Sequence, residues 1–293
     1  MRQILLLNIF LLMTACTAPR AVSQSGRVTP HEKWRVGSDY TFNISTQTTT
    51  ALFDGIKTSI EEVIDEEQVS YDETTRKLSK ALLAYSIDPL STGLDFYLRY
   101  GLFENADLGY KYATGIHVVD TRWQFMKPKN NPEESSSLYG SLGLQYSSQS
   151  YDLPSVMKLD DLQKLLGYNL NRKDVLVPLT FSRPFGEEEK YGAFSFGLAY
   201  NFTKLDYGFE PLKLYNNLGG DADPELVAPI HGEKTIHAYG GFFSLKGGYK
   251  YVYINAGLAI YYQNYGRYEL LNDDSAQLSG LTFVPHLGIE GEF

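Results

Sequence analysis

The chain has 293 residues, with 26 Lys and Arg against 35 Asp and Glu and a formal net charge of −9. That balance argues against a nucleic-acid partner, because tracking phosphates needs a basic surface. A single cysteine excludes a disulfide framework or a zinc cluster. With 43% hydrophobic and 21% charged residues the chain is not a disordered one, and 23 Tyr with 26 Gly suggest strands that meet an interface.

In chain order, residues 1–15 read as a secretory signal. Arg2 supplies a short positive region, and the apolar run from Ile4 to Met13 is interrupted only by Asn8. That run is too short to span a bilayer. It ends in Leu12-Met13-Thr14-Ala15-Cys16, which resembles a bacterial lipobox, with Met13 where leucine is usual. The resemblance implies lipidation at Cys16, and Thr17 in place of an aspartate is compatible with the outer membrane. The other reading is an ordinary signal peptide cut after Ala18. Residues 16–33 are polar, carry Pro19, Gly26 and Pro30, and read as a lipidated N-terminal tether anchored from the periplasmic side. No later apolar run is long enough for a transmembrane helix.

From residue 34 to 293 the dominant period is two. Leu94, Phe96, Leu98, Tyr100 and Leu102 alternate with Asp95, Tyr97, Arg99 and Gly101. Similar rows run through Leu108 to Tyr112, Val119 to Phe125, Leu142 to Tyr146, Val175 to Phe181 and Phe194 to Phe202. Others follow from Tyr239 to Leu245, from Val252 to Tyr262 and from Leu281 to Phe293. Alternation over so many segments is strand, not helix. The apolar rows hold no charge and the opposite rows hold Asp, Arg, Lys, Gln and Asn, as a lipid-facing surface requires. Tyr100, Tyr112, Trp123, Tyr146, Phe202 and Tyr262 sit at row ends, where interfacial girdles belong. A soluble β-sandwich lipoprotein of the periplasm shares the alternation and stands as an alternative.

The chain ends LTFVPHLGIEGEF, which looks like the C-terminal assembly signal of outer-membrane β-barrels, carried by Phe293, Ile289 and Leu287. The stretch LRYGLFENADLGYKYATG followed by VVDTRWQF resembles hairpins of such barrels in diderm bacteria. The resemblance implies outer-membrane lipids and the barrel assembly machinery as partners, and no cofactor. Counting back from Phe293, long connections at 270–280, 209–235, 153–172 and 48–92 largely alternate with short ones. The fold expected is therefore all-β: an antiparallel transmembrane barrel of about ten strands (8–12), with its N-terminus periplasmic. Short helices are expected in the long loops, from Ser155 to Leu166, along Leu52, Ile56, Ile60 and Val63, and after Asp72.

Asp95, Arg99, Lys111, Asp120, Arg122 and Glu290 fall on the inward row and read as a lumen charge network. Limited passage of small solutes is the functional alternative, since open aqueous pores belong to wider barrels. The main expectation is a structural or surface-interaction role without catalysis. A rim-located hydrolase, acting on peptides or lipids, is the sharper alternative. Asp221, Asp223, His231 and His237 lie in or beside the long outer loop 209–235, yet match no motif of the ten-stranded omptin-like proteases. Asp221 and Asp223 are weak metal candidates, lacking the full EF-hand pattern. His117, His237, His286 and the serines from Ser147 to Ser150 lack a Gly-x-Ser-x-Gly nucleophile signature.

Overall fold

A sheet buried on one face shows alternating burial, and here the alternation is inverted relative to a soluble protein. The computed structural model describes residues 19–46, 48–50, 80, 83, 87–128, 138–151, 169–209, 230–269 and 275–293. These form strands β1 (Trp34–Ser45), β2 (Ser91–Phe103), β3 (Ala106–Ala113), β4 (Ile116–Met126) and β5 (Tyr139–Tyr151). They continue with β6 (Asn169–Pro184), β7 (Gly192–Phe209), β8 (Ile230–Tyr249), β9 (Val252–Glu269) and β10 (Ser275–Glu292). Every neighbouring pair is antiparallel, and β1 closes on β10 as well as pairing with β2. Closure removes the free edges that an open sheet would present.

Leu94, Phe96 and Leu98 are exposed while Asp95, Tyr97 and Arg99 between them are buried, and β3, β4 and β5 repeat the pattern. An exposed or half-buried apolar row on every strand, with charges inside, is stable only against lipid. One closed sheet with its polar face inward also removes the two-sheet sandwich. Trp34, Phe103, Trp123, Tyr191, Tyr249 and Phe293 ring the end that carries the short turns, and Tyr112, Tyr146, Tyr239 and Tyr262 the opposite end. The first is called the turn end and the second the loop end.

The loop end carries connections 46–90, 152–168, 210–229 and 270–274, together with the two-residue turn Thr114-Gly115. Both residues of that turn have positive φ, 46° and 92°, the requirement of a tight hairpin whose twist matches its strands. Strands β6 to β10 rise past the apolar belt, so their connections are shorter than the sequence suggests. The extra rungs carry Asn171, Lys173, Lys204 and Glu233, whose rows lack the apolar contrast that marks a strand, although the ladder continues through them. Pro285 leaves a trace in the β1–β10 register, which passes from Thr41–His286 directly to Ile44–Phe283.

Thr46, residues 48–50, Lys80, Leu83 and Ile87 are helical. The helices expected along 52–63, after Asp72 and from Ser155 to Leu166 lie outside the described residues, as do residues 1–18 with Cys16. The tether expected up to residue 33 needs correction from Pro19 onward. Arg20, Ala21, Val22, Ser25, Val28 and Thr29 are buried inside the barrel. Polar, small and Pro/Gly-punctuated residues suit a polar lumen as well as they suit a linker, so composition alone could not separate the two.

Candidate functional site

The site is the lumen, because that is where the sequence concentrates its charge. Residues 19–30 run through it in extended form, toward the turn end. The carbonyl of Pro19 accepts from Gln145 Nε2 at 2.7 Å and that of Arg20 from the Tyr261 hydroxyl at 2.8 Å. Gly26 N donates to Ser182 Oγ, Val28 N to Gln124 Oε1 and Thr29 N to Asp107 Oδ2 at 2.7 Å. Ala21 and Val22 pack with Leu176, Phe242, Tyr261 and Val284, giving the lumen a small apolar waist. At the turn end the chain reverses through Pro30 to Lys33, with Glu32 at φ 62° and Lys33 N donating to Pro30 O.

From the loop end a second segment comes in to meet the first. Asp88, three residues before β2, is fully buried and carries the densest polar cluster among the described lumen residues. Arg20 Nη2 donates to Asp88 Oδ1 at 2.9 Å, as does Asn43 Nδ2 at 2.8 Å. Gln263 Nε2, the Tyr265 hydroxyl and Thr282 Oγ1 donate to Oδ2. Burial alone would push the Asp88 carboxyl up. The Arg20 charge and the Tyr265 hydrogen bond outweigh that and hold it below its ordinary range, so it stays ionised. Beside the two segments, the described part of the lumen holds cavities of about 40 and 10 Å³, room for isolated waters, and a wider pocket of about 230 Å³ opens at its turn end beside Arg27, Val28 and Gln124.

The six network residues named from the sequence all point inward but fall into three groups. Arg99 binds Asp107 at 2.6 Å and also pairs with Asp120, while Arg122 Nε reaches Asp107 at 3.1 Å. Lys111 stands 3.8 Å from Asp95, a looser pair. Glu290 belongs to a turn-end group, 3.3 Å from both Lys246 and Arg35. Lys246 also binds Glu189 at 2.7 Å, and Arg35 binds Glu292 at 2.8 Å. Period-two reading missed Arg20, Asp88 and Glu189, which lie in connections where no alternation marks a face. It also left out the Arg172–Asp174 pair, 2.8 Å apart on the inner wall of β6 above the belt.

Phe293 is exposed and exchanges backbone hydrogen bonds with Trp34, N to O at 2.9 and 3.0 Å. Ile289 and Leu287 continue its lipid-facing row along the β1–β10 seam. The histidines are dispersed: His31 stands 3.8 Å from its neighbour Glu32 at the turn end, while His117 bonds Tyr110 and His237 bonds Tyr200 at the outward loop-end girdle. His286 is buried in the lumen, whereas His231 is exposed above the belt. Ser147 faces inward and Ser150 bonds Asn171. Asp221 and Asp223 lie outside the described residues, and among the described residues no cluster of His, Cys, Asp and Glu could hold a metal ion.

No protein-family model matches the sequence, and no curated protein matches it. Solved structures with a similar course include the attachment invasion locus protein Ail of Yersinia pestis, at 11% identity and TM-score 0.33, covering 90% of this chain and 99% of that one. The outer membrane protein OprG of Pseudomonas aeruginosa aligns at 10% identity and TM-score 0.34, covering 92% and 99%. Neisserial surface protein A aligns at 9% identity and TM-score 0.30, covering 89% and 97%. Likeness at this level adds nothing to what the closed sheet itself shows.

Proposed function

We propose that this chain is an outer-membrane β-barrel of a diderm bacterium with a structural or surface-interaction role, its lumen closed and its long loops turned outward. The observation that carries the reading is the occupied lumen: Arg20 of residues 19–30 meets Asp88 inside, and the cavity beside the segment measures about 40 Å³. What such a barrel offers its surroundings is therefore its loop end. Short turns face the periplasm and long connections the exterior in bacterial barrels, which puts 152–168 and 210–229 outside. No catalytic step is assigned: His117 and His237 pair with tyrosines instead of carboxylates.

Acylation of Cys16 and contact with outer-membrane lipids belong to the same proposal, with one amendment. Pro19 lines the same small cavity as Thr114 of the loop-end turn, and Thr114 is seven residues along the chain from Asp107. Seven strand residues measure about 23 Å along the strand and, at the usual tilt of barrel strands, about 17 Å along the barrel axis, whereas the three steps from Pro19 to Cys16 reach at most about 11 Å. A seated segment and a lipid in the periplasmic leaflet thus exclude each other, so the periplasmic anchor applies only to a chain whose residues 19–30 have left the lumen.

Epitope tags placed in 210–229 and in 127–138 test the reading. Antibody should stain intact cells carrying the first and only permeabilised cells carrying the second, and the purified protein should give no steady conductance in a planar bilayer. Staining in the opposite sense would overturn the orientation, and an open wild-type channel would overturn the closed lumen. Labelled palmitate entering the wild type but not Cys16→Ser would support the lipid; equal labelling of both would remove it.

A further inference from the structure

We infer that residues 19–30 are a displaceable plug, whose withdrawal opens a narrow path through the barrel that passes small cations in preference to anions. The inference rests on the closed-lumen reading and goes beyond it, because it concerns what the barrel becomes when the segment leaves.

The sheet is complete without the segment. All ten strands pair with both neighbours, and among the described residues none from 19 to 29 makes a backbone–backbone hydrogen bond. Side chains of the barrel wall hold it: Arg122 and Arg35 donate to its carbonyls, and Ser182 and Gln124 accept from its amides. Withdrawal therefore breaks no rung of the barrel. Its fixed point is the reversal at Pro30–Lys33, where Glu32 N and Lys33 O bond the backbone of Gly101. Beyond that point the segment is free to swing as a unit.

Seating depends on slimness. A Cβ added to Gly26 would stand 2.7 Å from the Tyr139 carbonyl oxygen and 3.0 Å from Ser182 N, both backbone atoms that cannot give way. Gly101 is likewise bare beneath the segment, its would-be Cβ 1.9 Å from Pro30 O. The charge preference follows from what the plug takes with it. Arg20 leaves Asp88, and Arg27 leaves Glu292 and Glu188, each 3.1 Å away. Ser25 leaves Glu189, and Thr29 N leaves Asp107. Two guanidinium groups depart and carboxylates at both ends of the lumen lose partners, an arrangement that selects for cations.

The test is conductance in planar bilayers of the full chain, the chain lacking residues 19–29, and the full chain with Gly26→Leu. The wild type should stay closed. The deletion should show a small steady conductance, with potassium passing over chloride by roughly tenfold, and adding Asp88→Asn should lower that ratio. Folding is checked by the shift in gel mobility between boiled and unboiled samples. Should the deletion fail to fold, Gly26→Leu keeps every charged group, blocks seating alone, and carries the same expectation. A folded deletion or Gly26→Leu protein that stays closed, or that prefers chloride, would overturn the plug while leaving the closed barrel standing. A wild type that conducts as well as the deletion would overturn both.

Discussion

Asp107 shows how single residues set the interior. It is fully buried on β3 and accepts from Arg99, Arg122 and the amide of Thr29, so one carboxylate joins two strands to the lumen segment. Gly109, two residues on, makes the group possible: a Cβ there would stand 2.6 Å from Asp120 Oδ2 and 2.7 Å from an Arg99 nitrogen. Removing one partner of a buried ion pair leaves an uncompensated charge, which costs about 3–5 kcal/mol. Asp107→Ala takes the carboxylate from Arg122 and half the ion pairing from Arg99, which keeps Asp120, and should show a loss within that range. Asp95→Ala should show less, since Lys111 lies 3.8 Å off and relaxes more easily. Denaturant midpoints of the detergent-solubilised proteins decide it, and equal losses for the two would mean that the Asp107 group is not the stronger one. Asp107 was visible in the sequence as an inward position of an alternating row. Asp88 was not, because the residues around it follow no period of two and its partners come from segments 20, 43, 263, 265 and 282 of the chain.

Each strand is an element with two solvents, lipid outside and a filled polar lumen inside. Leu198 of β7 is 66% exposed in the middle of the lipid-facing row that runs Phe194, Phe196, Leu198, Tyr200, Phe202. Tyr112 of β3 sits at the loop-end girdle, its ring 5.4 Å from that of His117. Arginine at the midplane of a barrel costs about 2–4 kcal/mol, and near an interface about 0–1 kcal/mol. Leu198→Arg should therefore be the costly change and Tyr112→Arg the mild one, compared by unfolding in lipid vesicles. Similar costs in vesicles would place the belt elsewhere on the barrel. The belt was legible in the sequence because lipid excludes charge from one row of every strand. The strand ends above it were not: Lys204 and Glu233 pair across β7 and β8 at 2.9 Å, and a row with charge on its outer face reads as loop.

At the scale of the whole molecule, an even strand count and the alternation of long and short connections were enough to anticipate a barrel. Residues 19–33 were misread because a segment that fills a polar lumen has the composition of a linker; only Arg20 and Arg27, in a chain with more acids than bases, hinted at carboxylates awaiting them. The seam between β1 and β10 joins the first strand to the last, and Phe293 lies at its turn end. Its ring is 61% exposed, while its backbone exchanges two hydrogen bonds with Trp34. Stability at the seam thus comes from main-chain atoms that any residue would supply. Phe293→Ala should change the stability of the purified barrel little, within about 0.5 kcal/mol for an exposed site of this kind. If the terminal aromatic is read by the assembly machinery, as its resemblance to a C-terminal assembly signal implies, the same change should lower the amount of barrel reaching the outer-membrane fraction several-fold. Denaturant unfolding of the purified protein and quantitation of the membrane fraction separate the two effects. A loss of stability large enough to account for the lower yield would make the ring a structural group and remove the assembly role; an unchanged yield would remove it as well.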